Sequence, residues 1–296
     1  MKKKYLFILL CAISQGLQAQ TDSLSRLLPK WEHKLQTGIN LNQSSFSDNW
    51  KGGGVSSYAY AWFFNYLAKK HSEKWDVNSD LQMQLGFLQN QGKSEHKSMD
   101  RIFYDFKIGR KLSDKWNLFV SLNFLTQFKE GFDYNVKSRL EPTNDSLISN
   151  FLAPGYLTSS FGLEYKPVNY LWMRFGMGTL RQTFVTDKRI SDAQLYGLVH
   201  KGDHLRNQAV LQYILSFDKE LVKNVNFRWR YMLNFDYFNA GKPNAFVHIF
   251  NANLTLKATK YLSTNLSVNI IRDYDQDKDI QLSQSLSLGI IYSLSR

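Results

Sequence analysis

Histidines and a run of alternating aspartates are the residues of this sequence best suited to chemistry. A hydrolytic triad needs a serine beside a histidine that a third group orients. We expect only His248 on an outward strand face, and no serine lies two residues from it. His200 and His204 lie in a predicted loop beside Asp203, with Ser191 some distance away. The sequence thus predicts no enzyme, although a lipid hydrolase acting through His248 stays open as the least favoured alternative.

The same residues make weak metal sites. His200 and His204 could pair on a metal only if their loop were helical, and no third ligand accompanies them. The segment DYDQDKD (273–279) carries four alternating aspartates that could hold Ca²⁺, but Lys278 and Arg272 reduce its charge, and a solvated hairpin tip is the favoured interpretation. A glycine triplet at 52–54 leads into a strand rather than a phosphate-binding helix. We predict no metal and no cofactor.

A third group of residues consists of charges that recur on one parity of alternating segments. Charges on the inner face of a closed sheet must be paired or solvated, so they form either a polar plug or the lining of a narrow wet pore. Arg228 and Arg230 on one segment favour anions in the pore version. The predicted lumen-lining and solute-binding residues are Arg228, Arg230, Arg174, Arg101, Lys107, Asp76, Asp80, Asp105, Glu164 and Asp236.

Amphipathic strands must position these charges, and the last segment, DIQLSQSLSLGIIYSLSR (279–296), is typical of them. Leu282, Leu286 and Leu288 share one parity, while serine and glutamine dominate the other. Successive strand residues point to opposite faces, so this strand has one apolar and one small polar face. Its length is roughly three times that of a usual strand in a soluble protein. Such a face is typical of a strand in a bilayer.

About twelve such segments follow one another from Glu32 to the end of the sequence. Their connections alternate, being short after even segments and long after odd ones, although the outer connections near Ala240 and Asp275 are short. The long loops are expected at 129–154 and 186–205. This pattern predicts an all-β fold, a transmembrane antiparallel up-and-down barrel of about 12 strands, with short periplasmic turns and longer extracellular loops.

Composition agrees with a barrel. Aromatic residues reach 15% and only 5 prolines occur in 296 residues, which suits long strands with aromatic girdles. After residue 20 no run of about 18 apolar residues exists, which excludes a helical membrane protein. The alternative, a secreted β-sandwich, explains alternation but not such long strands with so many outward aromatics.

The first residues have the pattern of an export signal. Three lysines precede an apolar stretch, and Leu17-Gln18-Ala19 resembles a cleavage site. We predict a signal peptide at 1–19, cleaved after Ala19, a periplasmic leader at 20–31 and the barrel at 32–296. Cys11, the only cysteine, lies within the signal, and a lipid-attachment role is the less favoured interpretation. The predicted location is the outer membrane of a Gram-negative bacterium.

Net charge points to partners in that compartment. Cleavage would lower the formal charge from +12 to +9, because the signal carries three lysines and no acid. For an exported chain, a basic balance favours outer-membrane lipid and lipopolysaccharide, and we expect no nucleic acid partner. The barrel-insertion machinery and another membrane protein are the further expected partners.

Two resemblances accompany this pattern. Ser287, Gly289, Tyr292 and Leu294 resemble the signal by which the insertion machinery recognises the last strand of a barrel, although Leu294 replaces the usual aromatic and Ser295-Arg296 extends past it. The segments DRIFYDFKIGRKLSDKWNLFVSLNFLTQFKEGFDY (100–134), FLAPGYLTSSFGLEYKP (151–167) and TFVTDKRISDAQLYGLVHKGDHLRNQ (183–208) resemble a Bacteroidota outer-membrane family catalogued as a domain of unknown function, number three thousand and seventy-eight. The resemblance spans about 50–215. It implies a barrel and supplies no activity.

Three functional hypotheses follow. The first is a narrow pore or transport protein for a small solute, for which Arg228 and Arg230 favour an anion. The second is a non-conducting barrel whose loops at 129–154 and 186–205 bind a partner protein or surface glycan. The third and least favoured is a lipid-modifying enzyme. For the lumen itself, the sequence favours a polar plug, or a very narrow pore, over a wider channel.

Overall fold

The computed structural model describes residues 31–47, 51, 55–137 and 145–295. The expected signal peptide with its cleavage site, most of the leader and the glycine triplet at 52–54 lie outside these residues. The strands are β1 (Trp31–Ser44), β2 (Ser57–His71), β3 (Trp75–Asn90), β4 (His96–Lys111), β5 (Trp116–Thr126), β6 (Gly131–Lys137), β7 (Asp145–Ser149), β8 (Gly155–Val168), β9 (Leu171–Phe184), β10 (Leu205–Val222), β11 (Val225–Asp236), β12 (Phe246–Lys257), β13 (Leu262–Arg272) and β14 (Gln281–Ser295). Helix α1 (Lys188–Asp192) follows β9, and two 3-10 turns, Tyr237–Asn239 and Pro243–Ala245, follow β11.

Twelve of these strands form one closed barrel, and the remaining two, β6 and β7, form a separate hairpin. Each barrel strand pairs antiparallel with its neighbour in the chain, except that β5 pairs with β8 across the β6–β7 insertion. Closure leaves no free sheet edge within the barrel, which is what a spanning sheet requires because lipid cannot satisfy backbone groups. The predicted twelve-strand up-and-down barrel is confirmed.

The first and last strands meet in the register that their apolar faces favour. Leu35 lies opposite Leu294, and Ile39 lies opposite Ile290, so both apolar faces point outward. On the inward side, Gly38 lies beside the Phe63 ring, and a Cβ atom there would overlap both that ring and the Ile290 carbonyl. Glycine at this position therefore permits the close approach of three strands.

The outer face of the barrel is exposed and apolar. On β14, Leu282, Leu286 and Ile290 have 62–65% of their surface exposed. Exposed aromatic residues follow the same parity near both ends of the strands, among them Trp31, Trp75, Trp116, Tyr58, Tyr60 and Phe246. An apolar band with aromatic girdles is the surface of a barrel that spans a bilayer.

Strand β9 contains a bulge that reverses its faces. Gly162 lies opposite Gly176 while Phe161 lies opposite Gly178, so β9 holds one extra residue. Unbroken alternation from Arg174 onward would place Gly178 inward, but Gly178 is exposed. Beyond the bulge, Thr179 and Arg181 are buried instead. A β-bulge re-aims the side chains that follow it, and paired glycines accommodate it without steric cost.

The connections separate the barrel into two different ends. The short turns comprise residues 72–74, 112–115, 169–170, 223–224 and 258–261, and all lie at one end. The opposite end carries every longer connection, as predicted. The expectation that the connections near Ala240 and Asp275 are short is wrong, because they comprise residues 237–245 and 273–280. Pro167 and Asn169 are typical turn residues, but β8 runs through Val168, so only Asn169 and Tyr170 form the turn before β9. The predicted loops at 129–154 and 186–205 contain β6, β7 and α1, elements too short for their periodicity to distinguish them from loops.

Candidate functional site

The ten charged residues predicted for the lumen all lie on the inward parity of their strands. Six of them are buried, with 1–5% of their surface exposed. The buried set is Asp76, Asp105, Lys107, Glu164, Arg174 and Asp236. The barrel therefore brings these residues into one lumen. Their contacts determine whether they form a plug or line a pore.

An ion-pair cluster fills the lumen beside β4, β8 and β9. Glu164 is its centre: its Oε1 accepts from Lys107 Nζ at 2.6 Å and its Oε2 accepts from Arg174 Nε at 2.8 Å. Lys166 Nζ lies 3.1 Å from Glu164 Oε1 and 3.2 Å from Asp76 Oδ2, which links the cluster to the short-turn end. Every member is paired, so this half of the lumen is a polar plug rather than an open channel.

Aromatic rings pack against the plug. The Arg174 guanidinium lies 4.3 Å from the centroid of Trp172 and 5.7 Å from that of Phe119. Phe119, which the sequence pattern marked only as an exception to alternation, is 1% exposed. Stacking on a ring favours a desolvated guanidinium, and Arg is the cation best suited to it.

A constriction lies at mid-height, built by residues from nearly opposite walls. Arg230 on β11 extends across to Phe103 on β4, with 5.6 Å between guanidinium carbon and ring centroid, and also lies 5.5 Å from Trp172. Arg101 lies 4.6 Å from the same Phe103 ring and donates to Gln82 Oε1 at 2.9 Å. Within the described part of the chain, neither Arg101 nor Arg230 has a carboxylate within 4.0 Å.

Arg228 is different from its neighbour Arg230. Its Nε and one terminal nitrogen donate to Asp218 Oδ2 at 2.9 and 2.7 Å. A cavity of about 20 Å³ lies next to it, lined by Lys34, Gln36, Asn65, Leu67, Asp80 and Arg228. This volume holds about one water molecule.

The remaining wall of the lumen is mostly neutral. At the middle of β12 and β13 the inward side chains are amides and hydroxyls that bond in cross-strand pairs, and the same face also carries the Ile249–Ile271 pair and, at the end of β12, Lys257. Asn251 Nδ2 donates to Asn269 Oδ1 at 2.8 Å, and Thr255 Oγ1 donates to Asn265 Oδ1 at 2.9 Å. Charge in the lumen is therefore concentrated on the wall from β3 to β11, with Lys34 on β1 and Lys257 on β12 as further inward cations.

The mouth at the long-loop end is closed by two Arg–Asp pairs. Arg181 on β9 lies 3.4 Å from Asp273 Oδ2, and Arg206 on β10 pairs with Asp275 at 2.5 Å. Gln276 Nε2 adds a bond of 3.1 Å to the Tyr156 hydroxyl. The aspartate segment 273–279 thus meets arginines rather than solvent alone. Our sequence analysis missed Arg181 because the bulge reverses β9, and the Gly-Met-Gly stretch at 176–178 was the signal available.

Beside the mouth, two loops form a cap with its own small core. Its buried side chains are Ala153, Val185, Ile190 and Leu198. Thr126 and Gln127 hold the strand below to this cap, since Gln127 Nε2 donates to the carbonyls of Asn150 and Ala153 at 2.6 and 3.0 Å. Tyr196 donates to the Ile148 carbonyl at 2.6 Å, and burial raises its pKa to about 12.

The cap is also stabilised by charge. Asp187 precedes α1 and accepts from Arg189, whose side-chain hydrogen bonds lower the pKa of Asp187 to about 2. The same bonds, with one to Glu130 Oε1 at 2.6 Å, raise the pKa of Arg189. Asn150 Nδ2 donates to Asp187 at 2.8 Å and so joins the two loops.

The histidines do not converge. His248 faces outward as predicted, and its Nδ1 lies 2.8 Å from the Tyr231 hydroxyl. His33 is also on an outward face, bonded to Tyr66 at 2.8 Å, so the expectation that His248 was alone there is wrong. His204 bonds the Val185 carbonyl and His200 pairs with Asp203, so these two are engaged separately.

Within the described ranges, no group of three or more His, Cys, Asp or Glu residues lies close enough to hold a metal ion. No helix in those ranges is long and apolar enough to cross a membrane.

Comparison with known proteins bears on family and fold. Residues 41–132 match the family described as Protein of unknown function (DUF3078). The resemblance to this family is confirmed over these residues. The match begins before the predicted span of 50–215 and ends well short of it, so the segments 151–167 and 183–208 lie outside the matched part. No curated protein matches the sequence.

Solved structures align over most of the chain at low similarity. A NanC porin aligns with 10% identity and a TM-score of 0.38, over 88% of this chain and 99% of that one. The translocator domain of the autotransporter NalP from Neisseria meningitidis aligns with 12% identity and a TM-score of 0.33, over 95% of each chain. The CymD monoaromatic hydrocarbon channel aligns with 12% identity and a TM-score of 0.33, over 95% of this chain and 92% of that one. Function therefore has to be argued from this chain's own residues.

Proposed function

We propose that this protein is a narrow outer-membrane pore that passes small anions. The observation that carries the proposal is the constriction at Phe103, where Arg101 and Arg230 have no carboxylate within 4.0 Å among the described residues. Each guanidinium stacks on a ring instead of pairing with an acid.

The charge balance at this level supports anion passage. The part of the lumen beside Phe103 and the small cavity, outside the ion-pair plug, holds more cations than carboxylates. The cations include Lys34, Arg101, Arg228 and Arg230, and the carboxylates there are Asp80 and Asp218. Asp218 is already engaged by Arg228. An anion 4 Å from an arginine gains about 4 kcal/mol at the effective dielectric of a protein surface, which offsets part of its dehydration.

The size of the opening limits the solute. Phe103, Trp172 and Arg230 meet across the lumen, and the mouth above is closed by Arg181–Asp273 and Arg206–Asp275. Passage needs these side chains to move aside. Phe103, Arg181 and Asp273 are buried, so this motion is slower than the rotamer changes of exposed side chains. The pore is therefore narrow, gated at its mouth and suited to small inorganic or carboxylate anions.

Planar bilayer recording with a KCl gradient tests the proposal. The wild type should show single-channel conductance. Its reversal potential in the gradient should indicate a higher permeability to chloride than to potassium. The double substitution Arg101→Gln, Arg230→Gln should lose most of this preference. Lys219→Gln is the matched control, because Lys219 lies outside the barrel, 4.3 Å from the Tyr170 ring. A folded wild type without conductance, or unchanged selectivity in the double variant, would overturn the proposal.

A second candidate function is supported by the cap. Its buried core holds two loops in place and leaves Phe151 and Val199 with 51% and 70% of their surface exposed. A non-conducting barrel with such loops would bind a partner membrane protein or surface glycan. A photo-crosslinker placed at Val199 should then give a discrete adduct in intact cells, whereas one at lipid-facing Met177 should not.

A further inference from the structure

An arginine lies on the lipid-facing side of the barrel near the long-loop end. Arg272 is the last residue of β13, is exposed, and shares the outward parity of Leu266 and Ile270. Its direct cross-strand neighbour is His248 on β12. A charge on the lipid face is costly at the membrane centre and nearly free at the interface, so this position marks the headgroup level.

The histidine beside it is held in place from the other side. The Tyr231 hydroxyl lies 2.8 Å from His248 Nδ1, and the Phe246 ring stacks on the imidazole with 6.2 Å between centroids. When the tyrosine donates to Nδ1, the ring proton is on Nε2. Cross-strand neighbours point to the same face, so in this tautomer Nε2 and the guanidinium present donors side by side.

No carboxylate neutralises this pair within the described part of the chain. In the loop that follows β13, Asp273 bonds Arg181 and Asp275 bonds Arg206 and Asn244. Asp277 accepts from the Asp279 amide at 2.8 Å. Arg272 therefore keeps its guanidinium available to an anion from outside the protein.

Below the pair the surface is apolar. Ile270 lies opposite Phe250 on one side and Leu282 on the other, and Leu282 has 62% of its surface exposed. The patch thus combines donors at headgroup level with a wall suited to acyl chains. Membrane proteins recognise anionic lipids with this combination.

We propose that Arg272 and His248 form a binding site for a phosphate of lipid A, the anchor of lipopolysaccharide in the outer leaflet. The planar guanidinium takes the phosphate through two parallel hydrogen bonds, and His248 Nε2 donates a third. Tyr231 acts as a positioning residue that sets the tautomer of His248. This site is independent of any passage through the lumen.

Native mass spectrometry of the intact barrel in detergent tests the site. The titrants are lipid A, the same lipid A with its phosphates removed, and phosphatidylglycerol. Arg272→Gln should weaken binding of phosphorylated lipid A about tenfold, since hydrogen bonds to a charged group are the stronger class. His248→Phe should weaken it less. Lys242→Gln, which removes an exposed loop cation near the same end, is the matched control and should bind as the wild type does.

Three results would overturn the inference. One is equal affinity of the wild type and Arg272→Gln for phosphorylated lipid A. Another is equal affinity of the wild type for the dephosphorylated lipid, which would assign the binding to acyl chains alone. The third is phosphatidylglycerol binding as tightly as lipid A. Heat-dependent electrophoretic mobility of each variant confirms that its barrel is folded.

Discussion

The Arg230 guanidinium on β11 stacks over the Phe103 ring on β4, across nearly the full width of the barrel. Four strands separate them on one side and six on the other. A single side-chain contact thus joins opposite walls at mid-height. Twelve strands enclose more space than the eight that side chains alone fill, and less than an open porin, so one such contact is enough to narrow the lumen decisively.

Shortening Phe103 should widen the lumen. In Phe103→Ala the ring that separates Arg101 from Arg230 is gone, so single-channel conductance in planar bilayers should rise, while stability falls by roughly 3–5 kcal/mol. Phe106→Ala on the outward face of the same strand is the control and should leave conductance unchanged. Equal conductance of Phe103→Ala and the wild type would place the narrowest point elsewhere.

Removing the central carboxylate of the plug should destabilise the barrel. Glu164→Gln leaves Lys107 and Arg174 buried with less compensation, and breaking a buried pair costs about 3–5 kcal/mol. Urea unfolding in lipid vesicles, followed by tryptophan fluorescence, measures the change. Glu73→Gln in an exposed turn should shift the unfolding free energy by less than about 0.5 kcal/mol. A similar small shift for Glu164→Gln would contradict the role given to the plug.

Lowering the pH towards 2 should reduce the stability of the cap. The pKa of Asp187 is about 2 in the folded protein, below the value of about 3.9 expected when unfolded. A depressed pKa contributes stability that is fully present above about pH 4 and is lost as the pH falls towards 2. The carboxyl ¹³C shift of Asp187 should titrate with a midpoint near the lower value.

The arginine partner supplies the control for that titration. In Arg189→Gln the midpoint should move up towards the unfolded value, because the side-chain hydrogen bonds to Asp187 are lost. Lys188→Gln removes a neighbouring exposed charge and should leave the midpoint in place. An unchanged midpoint in Arg189→Gln would show that another group lowers this pKa.

The proposed insertion signal predicts an assembly defect without a stability defect. Tyr292 and Leu294 point to lipid with 53% of their surface exposed, so replacing either by Ala removes little packing. Each substitution should reduce the fraction of folded barrel in outer membranes, measured by heat-dependent mobility. Leu288→Ala, at 51% exposure on the same face, should not. An equal loss for Leu288→Ala would indicate general strand packing instead of a recognised signal.

Alternation along the chain was sufficient to predict the barrel. The outward row on β14, the pairing of Leu35, Ile39 and Leu41 with that strand, and the inward position of residues such as Glu164 all follow from a two-residue period in a sheet with one lipid face. The asymmetry of the two ends followed from turn lengths. These features are local, so the sequence carries them directly.

Contacts across the lumen were decided by the tertiary structure alone. The two-residue period predicts that Arg228 and Arg230 both point inward. The closure and stagger of the barrel determine that Arg228 contacts Asp218 and that Arg230 contacts Phe103. The β9 bulge reversed parity at Arg181 and brought it to Asp273, a partner 92 residues away. Alternation along a strand determines which face of the sheet each side chain occupies. The contact partner of that side chain depends on distances between strands that are remote in sequence, and only the closed barrel sets those distances.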